Sequence, residues 1–232
     1  MWQLPELSIP EERTAPSLSL LAYQQIQHKL VTLALPPGEL INEGALQSEL
    51  GLGRTPVREA LLRLSREQLV EIVPRRGIFA TEIDLTDLQR LFEMRLPLEC
   101  LAVELATQRA TPSQWQEINR LVAETSQAHS QTASAWLSHD RACHELIYAA
   151  TDNKFLSDPL TKLYILSLRI WFYAIPAIHH LSDAVQEHIA IFQAMQAHQP
   201  ALASQRMSAH IRGFQAQLQM ALVERMGIRP TP

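Results

Sequence analysis

Residues 54–81 read RTPVREALLRLSREQLVEIVPRRGIFAT, and the fold of the N-terminal part follows from them. Val57, Ala60, Leu61 and Leu64 fall on one side of a helix at about 100° per residue, which leaves Thr55, Arg58, Glu59 and Arg66 facing outward. Arg54 stands at the leading edge. Thr55-Pro56 predict the start of this helix, because threonine caps free N–H groups and proline leaves none unpaired at a first position. The chain then alternates through Val70, Glu71, Ile72 and Val73, turns at Pro74-Arg75-Arg76-Gly77 and returns through Ile78, Phe79 and Ala80, predicting a β-hairpin with two arginines at its tip. Upstream, Gly51-Leu52-Gly53 separates this helix from a short one carrying Leu46 and Leu50. A first helix with Tyr23, Ile26, Leu30 and Leu33 on its stripe stops at Pro36-Pro37-Gly38. Helix, glycine turn, helix, hairpin is the grammar of a winged helix-turn-helix.

The rest of the chain is different in kind. From Asp84 onward no strand signal recurs, and the sequence reads as about six or seven helices punctuated at Thr111-Pro112, Asp152-Asn153, Pro176 and Pro200. Residues 1–17 read as an arm, 18–82 as the winged helix-turn-helix, 83–226 as an all-helical bundle and 227–232 as a tail. A length of 232 residues with 47% hydrophobic content supports two such unequal units. The formal charge of -4 excludes a generally basic nucleic-acid coat. A local patch remains: from Arg54 to Arg76 six arginines face three glutamates. Cys100 and Cys143 are too isolated for a disulfide framework, which suits a reducing compartment. The start carries acids and prolines where a secretory leader needs basic and then apolar residues. The most apolar stretch, 163–178, is broken by Arg169 and Pro176 and is too short to span a bilayer. The expectation is a cytoplasmic protein.

A recognition helix presents its N-terminal residues to base edges in the major groove, where arginine pairs bidentately with guanine. Arg54, Thr55 and Arg58 occupy those positions, with Arg66, Arg75 and Arg76 available to phosphates. The competing reading is a solvated arginine face, disfavoured by the glycine turn before it and the basic hairpin after it. From LALPPGELINEGALQSELGLG onward through the stretch quoted above, residues 20–81 closely resemble the signature of GntR-type regulators. That resemblance implies base or phosphate contacts by Arg54, Thr55 and Arg58, and a wing whose tip, Gly77, enters the neighbouring minor groove. Gly44 and Gly53 depart from the residues usual in that family, a basic one and a serine.

In the helical part, four polar side chains stand where the pattern requires apolar ones: Asp140 and His144 between Leu137 and Ile147, His188 between Val185 and Phe192, and His210 between Met207 and Phe214. One buried histidine is usually a hydrogen-bonded core residue. Four such groups on three helices suggest a metal, since Asp140 and His144 point the same way one turn apart and helical bundles build metal sites from facing helices. Zn²⁺ or Ni²⁺ suits one carboxylate and three imidazoles best, with Mn²⁺ and Fe²⁺ as further candidates. The spacing resembles the metal-binding FCD domain of the FadR branch of GntR regulators, over roughly residues 84–222. FEMRLPLEC is similar to that family's R-x-x-L-E segment, whose arginine maps onto Arg95 and faces the effector. A salt bridge to Glu99 is the alternative for Arg95, and Pro97 is expected to kink its helix.

A divalent ion with these ligands keeps positive charge and open positions, so a small carboxylic acid is the expected effector, with Arg95, Arg169, Trp171 and Tyr173 as candidate contacts. The segment 163–173 reads equally as plain core. Double-stranded operator DNA and a second copy of the chain are the expected partners, a homodimer matching palindromic half-sites. The function expected is a non-enzymatic transcriptional repressor. The rival is a metal-dependent phosphohydrolase of HD type, since His139-Asp140 spells that dipeptide, but His139 lies one residue off the ligand face.

Overall fold

The structure is a computed structural model that describes residues 17–127, 133–174 and 183–225. Helix α1 (Leu18–Val31) starts where the Ser17 hydroxyl accepts from the Leu20 amide. It buries Ala22, Ile26 and Leu30. The expected stripe is shifted at both ends: Tyr23 is only half-buried, and Leu33 lies past the helix in a left-handed conformation, φ 61°. Asn42 caps α2 (Glu43–Leu50), and Gly51 closes it at φ 64°, a conformation that glycine adopts without a Cβ penalty.

Helix α3 (Arg54–Arg66) begins earlier than Thr55-Pro56 suggest. Gly53 is its N-cap, without a side-chain bond, and Thr55 sits exposed in the first turn. Pro56 is tolerated because the first-turn N–H groups have no partner within the helix. Val57, Ala60, Leu61 and Leu64 are buried as the periodicity requires, and α3 packs on α1. Strands β1 (Val70–Val73) and β2 (Gly77–Ala80) form the antiparallel hairpin, with Val70 opposite Ala80 and Val73 opposite Gly77. The loop before α2 adds a short third edge that the sequence did not suggest. The Ile41 amide donates to the Ile78 carbonyl at 2.7 Å, and the Ala80 amide to the Glu39 carbonyl at 3.0 Å.

Six further helices follow among the described residues: α4 (Leu85–Arg109), α5 (Pro112–Gln127), α6 (Ala133–Ala150), α7 (Lys154–Ala174), α8 (Asp183–Gln196) and α9 (Pro200–Arg225). Three of the four expected breaks coincide with helix starts; Pro176 lies outside the described residues. Helix α4 continues through Pro97, whose side chain is exposed. α8 and α9 pack side by side, and both α5 and α6 contact α8.

The chain divides into two compact units. One holds the winged helix up to Asp87 together with residues 165–174, and the other holds the described remainder. The sequence-based boundary did not anticipate that the end of α7 groups with the N-terminal unit. No helix among the described residues is long and apolar enough to cross a membrane.

Candidate metal centre and nucleic-acid interface

In the N-terminal unit every candidate DNA contact is exposed: Arg54, Thr55, Arg58 and Arg66 on α3, and Arg75, Arg76 and Gly77 at the turn of the hairpin. The surface is largely polar, because Val57, Ala60, Leu61 and Leu64 of α3 are spent on the core while Leu62 stays exposed. At the wing, Arg75 has φ 65° and Gly77 φ 120°, and a Cβ at Gly77 would stand 2.7 Å from Leu40 Cδ1. The tight turn therefore needs glycine for conformation and for the close approach of Leu40.

The helical unit brings Asp140 and His144 of α6, His188 of α8 and His210 of α9 together. All four are buried, and one donor atom from each lies within 4.8 Å of the others. Asp140 Oδ1 is 3.6 Å from His188 Nε2 and 4.0 Å from His144 Nε2. The His188 and His210 rings are 4.4 Å apart.

Further groups orient this set, and they were not singled out for that role in the sequence. Glu99 of α4 lies 3.2 Å from His144 Nδ1. Glu187 of α8 lies 2.8 Å from His210 Nδ1. An ionised carboxylate only accepts, so each Nδ1 donates and each Nε2 keeps its lone pair for a metal, the usual arrangement behind ligating histidines. The Tyr164 hydroxyl donates to Asp140 Oδ2 at 2.7 Å, and the Tyr148 hydroxyl to Glu99 Oε1 at 2.6 Å. Two signals could have found them: Tyr148 is four residues beyond His144 on one face, and a tyrosine inside an apolar run needs a partner for its hydroxyl.

Arg95 is buried and donates through Nε and Nη2 to Glu99 Oε1, at 3.2 and 2.7 Å. The salt bridge weighed from the sequence is present. Its Nη1, however, is buried without a hydrogen-bond partner among the described residues. Burial alone would raise the Glu99 carboxyl, but His144, Arg95 and the hydrogen bonds from His144 and Tyr148 hold it well below the usual carboxylate range. Burial, then the charges of Glu99 and of Asp140 respectively, push the Tyr148 and Tyr164 phenols well above theirs, so both stay protonated donors.

The residues fit a divalent ion. Ligand atoms sharing an ion at about 2.1 Å stand roughly 3–4 Å apart, so a set within 4.8 Å closes by small side-chain rotations. One guanidinium against the two buried carboxylates leaves the centre net negative when the imidazoles are neutral, and a divalent ion reverses the sign.

The other expected effector contacts are grouped elsewhere. Arg169, Trp171 and Tyr173 fall in the N-terminal unit. Arg169 donates through Nη1 to the Thr81 hydroxyl at 2.6 Å and through Nη2 to the Thr81 carbonyl at 2.5 Å. Trp171 is buried edge-on against Phe172, and Tyr173 is half-buried. The guanidinium already satisfies the backbone where the hairpin ends, at residue 81.

Two family descriptions match this chain, "Bacterial regulatory proteins, gntR family" over residues 18–80 and "FCD domain" over residues 90–213. The chain belongs to the gntR family of regulators with an FCD domain. It is 29% identical over 192 residues to the HTH-type transcriptional regulator YdhC of Bacillus subtilis (strain 168), covering 81% of this chain and 85% of that protein. It is 28% identical to the HTH-type transcriptional regulator McbR of Escherichia coli (strain K12), covering 75% and 78%. The solved structure of E. coli McbR/YncC superposes with a TM-score of 0.77 at 23% identity, covering 92% of this chain and all of that one. This FCD regulator is accordingly a transcription factor and not an enzyme. The HD-type alternative finds no support, and His139, which contacts the Cys143 thiol and the edge of the His188 ring, is not one of the four convergent donors.

Proposed function

We propose that this FCD regulator is a dimeric, cytoplasmic repressor whose hold on operator DNA is set by a small carboxylic acid bound at a divalent ion between Asp140, His144, His188 and His210. The observation that carries the reading is the buried set itself: four metal-compatible donors within 4.8 Å, two of them held in the ligating tautomer by Glu99 and Glu187. When bound, the ion supplies positive charge and open coordination positions for an anion. Arg95 adds a second recognition element, because its Nη1, which has no hydrogen-bond partner among the described residues, can donate to a carboxylate oxygen. Among this set the ion is Zn²⁺ or Ni²⁺ by donor chemistry, with Mn²⁺ and Fe²⁺ as the alternatives. Arg54, Thr55 and Arg58 read the bases, while Arg66, Arg75, Arg76 and Gly77 meet the backbone and the minor groove.

The test is a fluorescence-anisotropy titration of duplex DNA recovered by selection from a random pool, with and without hydroxy, keto and sugar acids. His188→Ala protein should hold the DNA within about tenfold of wild type, roughly 1.4 kcal/mol, yet ignore any acid that moves wild type. A wild-type response in that variant would place the effector elsewhere and reduce the ion to a clasp for the bundle.

A further inference from the structure

Helix α6 carries a second pair of donors one turn apart, offset by one residue from Asp140 and His144: His139 and Cys143. Cys143 Sγ lies 3.3 Å from His139 Nε2. The His139 ring meets the His188 ring nearly edge-on, centroids 5.9 Å apart. One donor atom from each of His139, Cys143 and His188 lies within 4.8 Å of the others. Cys143 is fully buried and His139 half-buried, so the thiol is shielded while an imidazole marks a route to solvent. This trio contains no carboxylate and one sulfur, whereas the Asp140 set contains a carboxylate and no sulfur. Donor softness sorts ions: oxygen and imidazole favour borderline divalent ions, and thiolate with imidazole favours soft ones.

We propose that His139, Cys143 and His188 form a second metal site, selective for a soft monovalent ion such as Cu⁺ and sharing His188 with the Asp140 centre. On binding, the Cys143 S–H proton passes to solvent as the sulfur–metal bond forms, and each histidine gives a ring lone pair; no electron is transferred. A neutral imidazole has one lone pair, so His188 serves one ion at a time. The soft ion therefore competes with the divalent one and removes the positive centre at which the acid would sit. The second site goes beyond the proposed function and does not require the acid.

Silver ion is the redox-inert probe. Metal-stripped full-length protein is titrated with Ag⁺, read by native mass spectrometry and by the ultraviolet thiolate-to-silver absorption. Wild type and Cys100→Ser should each take up one tightly held ion with that absorption, and Cys143→Ser and His139→Gln should lose it. His210→Ala should lose the divalent ion but keep the silver, which separates the two sites. In zinc-loaded wild type, Ag⁺ should release zinc; in Cys143→Ser it should not. Silver held equally well by Cys143→Ser, or lost from His210→Ala or Cys100→Ser, would overturn the inference. His139→Gln alters a half-exposed side chain, so the trio can be judged on it alone if Cys143→Ser fails to give the wild-type circular dichroism spectrum.

Discussion

Replacing Glu99 by glutamine tests whether a buried carboxylate sets the ligating state of His144. Oε1 of Glu99 accepts from Arg95 twice and from Tyr148, while Oε2 faces His144 Nδ1. The glutamine oxygen must stay with the three donors at the Oε1 position. Its NH₂ then confronts His144 Nδ1, which has to become an acceptor. That moves the ring proton to Nε2, the nitrogen facing Asp140 at 4.0 Å, and blocks it as a ligand. Loss of such an orienting partner typically costs 10–100-fold in metal affinity, about 1.4–2.8 kcal/mol. Removing the charge opposite the buried Arg95 costs a further 3–5 kcal/mol of fold stability, by the usual scale of about that size for a broken buried pair. The assay is isothermal titration of zinc into metal-stripped protein, with thermal unfolding measured in parallel. Glu187→Gln is the internal control: its side chain is 42% exposed, so water can replace it and His210 should lose less than about tenfold. Wild-type zinc affinity in Glu99→Gln, or equal losses in the two variants, would refute the reasoning.

Four other outcomes are expected. Arg58→Ala should keep the fold and lose specific footprinting, since an exposed residue making a bidentate base contact is worth about 1–3 kcal/mol of discrimination. Chelation should lower the unfolding temperature, because an ion that binds only the folded chain stabilises it by mass action, and a scan with excess chelator reads this directly. Gly77→Ala should destabilise the wing by about 1–3 kcal/mol through its left-handed φ of 120° and the Leu40 contact; adding Leu40→Ala should restore only the steric part in denaturant melts. Stability should also fall at alkaline pH. Burial and then the hydrogen bond to Glu67 push the Tyr23 phenol up to about 12. A raised folded-state value means the contribution is whole below the unfolded value of about 10 and is lost as pH climbs from there towards 12, which Tyr23→Phe should lessen in a pH series of melts.

The winged helix was legible because its determinants are local. Apolar spacing on α3, glycine at residue 51 and the turn residues between β1 and β2 each act within a few residues, so the buried face of α3, the hairpin and the exposed arginines could be read from the sequence, although Ile72 of β1 is exposed where alternation would bury it. Local chemistry also erred locally: Thr55 looked like a cap, but the cap is Gly53, whose extended backbone lets α3 begin one residue before Thr55. The burial and convergence of Asp140, His144, His188 and His210 were legible for a different reason, since a charged or imidazole side chain on an apolar stripe must be buried and must find partners.

What the sequence could not supply is which partners those are. Glu99, Tyr148, Tyr164 and Glu187 come from α4, α6, α7 and α8, and their roles depend on helices meeting at particular rotations and depths. The same applies to Arg169, which in sequence sits near Trp171 and Tyr173 in an apolar run and looked fit for the effector. In the structure its guanidinium goes to Thr81, because the last turns of α7 group with the winged helix, where backbone acceptors at the end of the hairpin are available. Periodicity tells which side of a helix is buried; only the packed arrangement tells what it is buried against.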